Sequence, residues 1–177
     1  YEFTAEQQKV TLSCDVGHVR IRAVVPFLRD IIANLIDNAI KYNRPEGKVT
    51  VSVSQSRSDA RLTVSDTGIG IPADCRSRVF ERFFRVDKNH SRKIGGTGLG
   101  LSIVKHAAEA NGGVITLESE LGKGTRITVT FPVCNDEKDA PARQASAPAA
   151  VSSEAGAKAP GTPVPAPVPS AAAAGAA

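Results

Sequence analysis

Four glycines in six positions, Gly95, Gly96, Gly98 and Gly100, lead straight into the apolar-periodic stretch LSIVKHAAEA. A helix starting behind such a loop leaves its first N–H groups unpaired, with the positive end of its dipole behind them, so the junction favours a phosphate. A flexible loop before an ordinary helix start looks the same, and alone the run decides little. It is not a P-loop, because GxxxxGK[ST] occurs nowhere, and no GxGxxG fits, because the third position after Gly96 and Gly98 is Leu101. The catalytic motifs of eukaryotic-type protein kinases are absent too. What constrains the chain is the order of three blocks: NLIDNAIKYN at 34–43, DTGIGIP at 66–72 and GGTGLG at 95–100. Together they describe a nucleotide pocket.

Each block carries its own chemistry. Asn34, Asn38 and Lys41 are spaced i, i+4 and i+7, which places them in one polar stripe of a helix. Asn38 offers a neutral oxygen of the kind Mg²⁺ accepts beside phosphates and waters. Lys41, one turn on, is a point charge for a phosphate. A solvated helix face would give the same stripe. Asp66 precedes Gly68 and Gly70, which allow a sharp turn and close backbone approach. Its carboxylate can accept from an exocyclic amine such as that of adenine, although an Asx turn opening a loop would read alike.

At 177 residues the chain is long enough for one well-buried domain, with length to spare. The spare length lies at 135–177, where 16 of 43 residues are Ala and 7 are Pro and none is aromatic. Too little apolar bulk is present there to offset the entropy of ordering, so a disordered tail is expected, or a ligand for a partner that reads Pro-rich peptide. The domain is therefore expected to span 1–134. The formal net charge of +4 matters less than its placement. Arg76, Arg78, Arg82, Arg85, Lys88, Arg92 and Lys93 fall between Ile71 and Thr97, against Asp74, Glu81 and Asp87. With little aromatic interleaving and a glycine loop directly behind it, this run reads as a phosphate-facing lid, and no nucleic-acid partner is expected. Cys14, Cys75 and Cys134 are odd in number and far apart, which suggests a reducing compartment and no zinc site. The sequence has no run of 18 apolar residues, no signal peptide and no initiator Met, so a fragment of a longer protein is expected, with any membrane span upstream.

Hydrophobic periodicity places strands at Val10–Cys14 and Ile21–Val25 around a Gly17–His18 turn, then a helix from Pro26 to about Tyr42. Leu28, Ile32, Leu35 and Ala39 should face a sheet. Strands follow at 49–53 and 61–65, a short helix near Ser77–Phe84, a second long helix over Leu99–Asn111, and a hairpin of 114–118 with 125–131. The pattern predicts an α/β, two-layer sandwich: one mixed sheet covered by helices on one face.

The blocks jointly resemble the sensor histidine kinases. NLIDNAIKYN is similar to their N box, DTGIGIP to their first glycine box, FERFFRVD to their F box, GGTGLGL to their second glycine box and GKGTRITVTFP to their closing strand. The resemblance covers Val10 to about Pro132 and implies the Bergerat ATP-binding fold, with a mostly antiparallel sheet and a mobile lid at about Ile71 to Thr97. It implies that Asn38 coordinates Mg²⁺ with support from Asn34, that Lys41 meets phosphate and that Tyr42 lies against the nucleotide. Asp66 is implied to accept from the adenine amine with help from Thr125, while Gly68, Gly70 and Ile71 shape the base pocket. Gly96, Thr97, Gly98, Leu99 and Gly100 are implied to wrap the phosphates of ATP, and Arg85 to reach the terminal one. Val25–Pro26 stands where the family commonly has Asp–Pro, which costs a helix cap.

None of His18, His90 and His106 sits in a helix of the kind that carries the family's phosphoacceptor. The resemblance thus implies an acceptor histidine N-terminal to Tyr1, on a dimerisation domain that makes the full protein a homodimer, and a response regulator receiver domain as further partner. The isolated domain is expected to be a monomer and the cytoplasmic part of a membrane-anchored sensor. Two other readings stand beside this one. A Bergerat-type ATPase would carry a water-activating Glu where this chain has Asn34. A nucleotide-binding regulatory module, such as an anti-sigma-factor kinase or a degenerate kinase, would not be expected to keep every box.

Overall fold

The computed structural model describes residues 1–86 and 96–133. The expected tail at 135–177, Cys134, and the lid residues from Asp87 to Gly95, His90 among them, lie outside the described residues. The chain enters through a short helix, α1 (Glu2–Gln7), which the sequence reading did not anticipate, and passes into β1 (Thr11–Val16). The 17-residue α2 (Val25–Lys41) then carries it to β2 (Lys48–Gln55) and β3 (Asp59–Asp66). The 11-residue α3 (Gly100–Ala110) precedes a closing hairpin, β4 (Val114–Glu120) with β5 (Gly124–Pro132). The five strands form one sheet in the order β1-β2-β3-β5-β4, parallel only between β1 and β2. This is the mixed, mostly antiparallel sandwich that the sequence predicts.

Strand alternation decides the core. Val49 and Val51, Ala60, Leu62 and Val64, and Ile127, Val129 and Phe131 all point to one face, where Ile31, Leu35, Ala39 and Ile40 of α2 and Val104, Ala107 and Ala108 of α3 bury against them. The opposite strand positions carry Thr50, Ser52, Thr63 and Thr128, none of them buried.

Three local expectations need correction. Ile21–Val25 is not a strand: Ile21 makes a single antiparallel bridge to Val133, and Val25 already belongs to α2. Pro26 is preset for a first helical turn and draws its neighbour into the helix. Ile32 does not face the sheet but is 39% exposed, because α2 turns Ile31, Leu35 and Ile36 inward instead. Ser77–Phe84 is not a helix; one 3₁₀ turn at Ala73–Cys75 gives way to separate turns closed by Val79 N–H on Cys75 O and Glu81 N–H on Arg78 O. Phe83 takes a left-handed φ of 63° and gives its N–H to Gly98 O at 2.8 Å, which ends any helix there.

The missing Asp at the start of α2 is partly replaced from a distance. Asn111, at the end of α3, accepts the Val24 N–H at 2.7 Å and donates to Ala107 O at 2.7 Å. It fixes where α2 begins, although the N–H it takes belongs to the capping residue and not to the first turn.

Candidate nucleotide site

The core opens at one end of the sheet into a cavity of about 490 Å³ between α2, the ends of β3 and β5, and the start of α3. Asn34, Asn38 and Lys41 line it from α2, in the single stripe that their spacing demands. The Nδ2 of Asn34 donates to Asp30 O at 2.8 Å, which turns its Oδ1 towards α3. A Cβ placed on Gly100 would lie 3.0 Å from that oxygen and 3.3 Å from Asn38 Nδ2, so the N-terminus of α3 runs directly onto the asparagines. Its capping residue, Leu99, makes no side-chain cap bond. First-turn N–H groups and the positive dipole end thus face the side of the cavity that Asn38 lines.

Lys41 Nζ is held 2.7 Å from Asp37 Oδ2, one turn back on the same helix, and both residues line the cavity. The sequence reading passed over Asp37; an acid four residues before a cavity lysine was the available signal. Tyr42 reaches the glycine loop, its hydroxyl 3.0 Å from where a Cβ of Gly96 would be. Its carbonyl accepts the Ile69 N–H at 3.0 Å, which ties the end of α2 to the Asp–Gly turn.

At the opposite end, Asp66 Oδ1 accepts the N–H of Gly68 at 2.8 Å and of Thr125 at 3.2 Å. Burial raises the carboxyl from 3.8 to about 6, against the lowering effect of those two N–H groups. Val64, Ile69, Ile71 and Ile127 supply apolar walls around it. Two backbone contacts press the β4–β5 turn onto this end. Gly70, at φ 67°, lies so close to Glu120 O that a Cβ would collide with it, and Gly124, at φ 116°, does the same against Asp66 O. Gly122 N–H closes the join on Ile69 O at 2.8 Å. Ser119, which the sequence reading missed, accepts the Ile71 N–H at 2.9 Å.

Arg85, which the resemblance implies at the terminal phosphate, also reaches the cavity. Its Nε and Nη2 are buried and have no hydrogen-bond partner among the described residues, and the residue lines the cavity beside Phe84 and Val86. Buried guanidinium N–H groups without an acceptor are costly, and a phosphate oxygen is an acceptor that such a fork suits. Thr97 and Gly98 also line the cavity, while Leu99 sits half-buried at the head of α3. Gly68 is buried under Tyr42 and Asn43, where a Cβ would collide with Tyr42 O. For a Mg²⁺ ion, the α2 side chains lining the cavity offer two neutral amide oxygens, those of Asn38 and Asn34. Such a donor set suits a cation that keeps its waters and shares phosphate oxygens.

A sheet with helices on one face, opening at its strand ends into a pocket with an acid at one side and a glycine-led helix at the other, defines an ATPase-type nucleotide domain. The chain belongs to the histidine kinase-, DNA gyrase B- and HSP90-like ATPase family, whose profile matches residues 23–135. Within it the likeness is to histidine kinases. The sensor histidine kinase WalK of Bacillus subtilis is 45% identical over 114 residues, 63% of this chain and 19% of that protein. The sensor-like histidine kinase SenX3 of Mycolicibacterium smegmatis is 41% identical over 134 residues, 75% of this chain and 35% of that protein. The chain therefore spans a minor part of the length of these relatives. Among solved structures, the mycobacterial sensor histidine kinase MprB superposes with a TM-score of 0.64 at 30% identity, covering 75% of this chain and 88% of that one. Full-length ShkA in complex with AMPPNP gives 0.63 at 32% identity, covering 73% and 27%. The chain is thus a catalytic ATP-binding domain of the histidine kinase type.

Proposed function

We propose that this domain binds Mg-ATP and presents the γ-phosphate to a histidine on a separate dimerisation domain upstream in a homodimeric sensor kinase. The observation that carries the reading is Arg85, a half-buried residue whose buried Nε and Nη2 have no hydrogen-bond partner among the described residues, in the same cavity as the Asp66 carboxylate. One suits the terminal phosphate and the other suits the adenine amine. Val64, Ile69 and Ile127 sandwich the base, Tyr42 covers it, and the N–H groups at Gly96 to Gly100 hold the phosphates. Asn38, backed by Asn34, would hold Mg²⁺, which when bound neutralises charge on the phosphates. The nucleotide complex of the similar ShkA supports ATP as ligand.

Transfer then needs only an acceptor in line. The imidazole nitrogen attacks the γ-phosphorus, a P–N bond forms, the bond to the β-phosphate oxygen breaks, and ADP leaves. The domain contributes position and charge: Arg85 on the transferring group, Lys41 on the phosphates once it exchanges Asp37 for them. Asn34 cannot take a proton from water, since its amide has no basic site and its Nδ2 is committed to Asp30 O. Slow hydrolysis follows. The phosphate passes on to a response regulator receiver domain, and the parent is a membrane-anchored sensor with this part in the cytoplasm. The domain is the stretch 1–134.

The test uses ATP labelled at the γ-phosphate. The chain alone should bind it but neither label itself nor hydrolyse it appreciably. Adding the parent's histidine-bearing helical domain should give labelling of that domain, and Arg85→Ala should reduce this labelling more than it reduces binding. Robust hydrolysis by the lone chain, or stable label on His18, His90 or His106, would overturn the reading.

A further inference from the structure

Asp66, Thr125 and Ser119 stand in a row across three neighbouring strands. Ser119 is directly opposite Thr125 in the β4–β5 register, and Asp66 is one residue beyond the Ser65–Arg126 pair of β3 and β5. The hydrogens in this row can be assigned by elimination. Ser119 Oγ lies 2.9 Å from Gly124 O, and a carbonyl only accepts, so the single Ser119 hydrogen goes there. The 2.9 Å contact between Ser119 Oγ and Thr125 Oγ1 then has one available donor, the Thr125 hydroxyl. The Ile71 N–H fills the other lone pair of Ser119 at 2.9 Å. Ser119 is saturated, and Thr125 has committed its hydrogen to it. Only lone pairs of Thr125 Oγ1 remain for a ligand, next to an Asp66 carboxylate that when ionised can only accept.

We propose that Ser119 is a specificity-determining positioning residue: by holding the Thr125 hydroxyl hydrogen it keeps the base end of the pocket purely accepting, and so selects a purine with an amine at its six-position over one with a carbonyl there. The inference rests on the nucleotide reading above and deepens it. An exocyclic amine brings two N–H groups to two acceptors. A carbonyl in the same place meets lone pairs, and Thr125 cannot turn to donate while Ser119 holds its hydrogen. Without the Ser119 hydroxyl, Thr125 is free to rotate and donate. Loss of the Ile71 and Gly124 partners would weaken both kinds of nucleotide alike, so the ratio of affinities is the diagnostic quantity.

The experiment measures, on the whole 177-residue chain with Mg²⁺ present, the Kd of ATP and of inosine triphosphate, which carries a carbonyl and its accompanying N1 proton instead of the amine. The chain should prefer ATP. Ser119→Ala should narrow that preference about tenfold, the scale of one hydrogen bond changed from mismatched to matched. Ser119→Thr, which restores a hydroxyl, should keep it. In a Thr125→Val background, where no hydroxyl is left to steer, Ser119→Ala should leave the ratio unchanged. Thr125→Val alone should weaken ATP and spare the inosine nucleotide, which carries the test even if Ser119→Ala does not fold. An unaltered ratio in folded Ser119→Ala, a change that persists without the Thr125 hydroxyl, or equal weakening of both nucleotides by Thr125→Val would each overturn the proposal. A wild-type chain that binds neither nucleotide would instead overturn the nucleotide reading itself.

Discussion

Asp66 serves two ends that pull in opposite directions. Its carboxyl is raised to about 6 by burial, so between the unfolded value of 3.8 and about 6 the folded chain holds more protons than the unfolded one. This group's contribution to stability is therefore greatest when it is protonated and is lost as pH rises through that window. Recognition of an amine requires the ionised form, which is present above about 6. Lowering pH from 7 to 5 should thus weaken ATP binding while easing the cost of burying Asp66 in the unliganded chain. Asp66→Asn should melt higher than wild type at pH 7, bind ATP more weakly, and lose the pH dependence of affinity that differs from that of ATP itself. Calorimetric titrations and melts at paired pH values read both effects. Wild type and Asp66→Asn with the same pH profile would remove the carboxylate from the base pocket.

At the scale of elements, α2 shows how periodicity and packing divide the work. Leu35 is 2% exposed in the core whereas Ile32 is 39% exposed, although both belong to the same apolar pattern. Leu35→Ala should cost about 2–5 kcal/mol in denaturant unfolding, and Ile32→Ala should cost far less; equal losses would mean that α2 sits differently on the sheet. The long periodic elements and all three nucleotide blocks were legible in the sequence because each has a strong local cause, whether a heptad-like stripe, a Pro start or a Gly stop. Ile21–Val25 and Ser77–Phe84 were not, because long-range bonds decide them: the Ile21–Val133 bridge and the Phe83 N–H on Gly98 O. Asn111 acting on the start of α2 is equally invisible from local pattern. Ser119 was within reach. It continues the inward alternation of Ile115 and Leu117, and a polar residue at an inward strand position is a reason to ask what it bonds.

On the scale of the whole molecule, the described residues contain no helix long and apolar enough to cross a membrane. Removing 135–177 should leave the melting temperature and ATP affinity unchanged, since the core cluster and the cavity walls named above are built from residues before it. A drop of several degrees on truncation would show that the tail packs on the domain. The row from Asp66 to Ser119 has a wider consequence. Sheet pairing has a period of two, so a shift of β5 by one residue against β4 would bring Gly124 or Arg126 opposite Ser119 and turn Thr125 to the far face. The only covalent gauge of that alignment is the turn between Glu120 and Gly124, whose Leu121, Gly122 and Lys123 are all exposed. Exposed turns ordinarily tolerate insertions and deletions. Here the spelling of the turn is open to drift but its length is not, because its length decides which letter of the base is read.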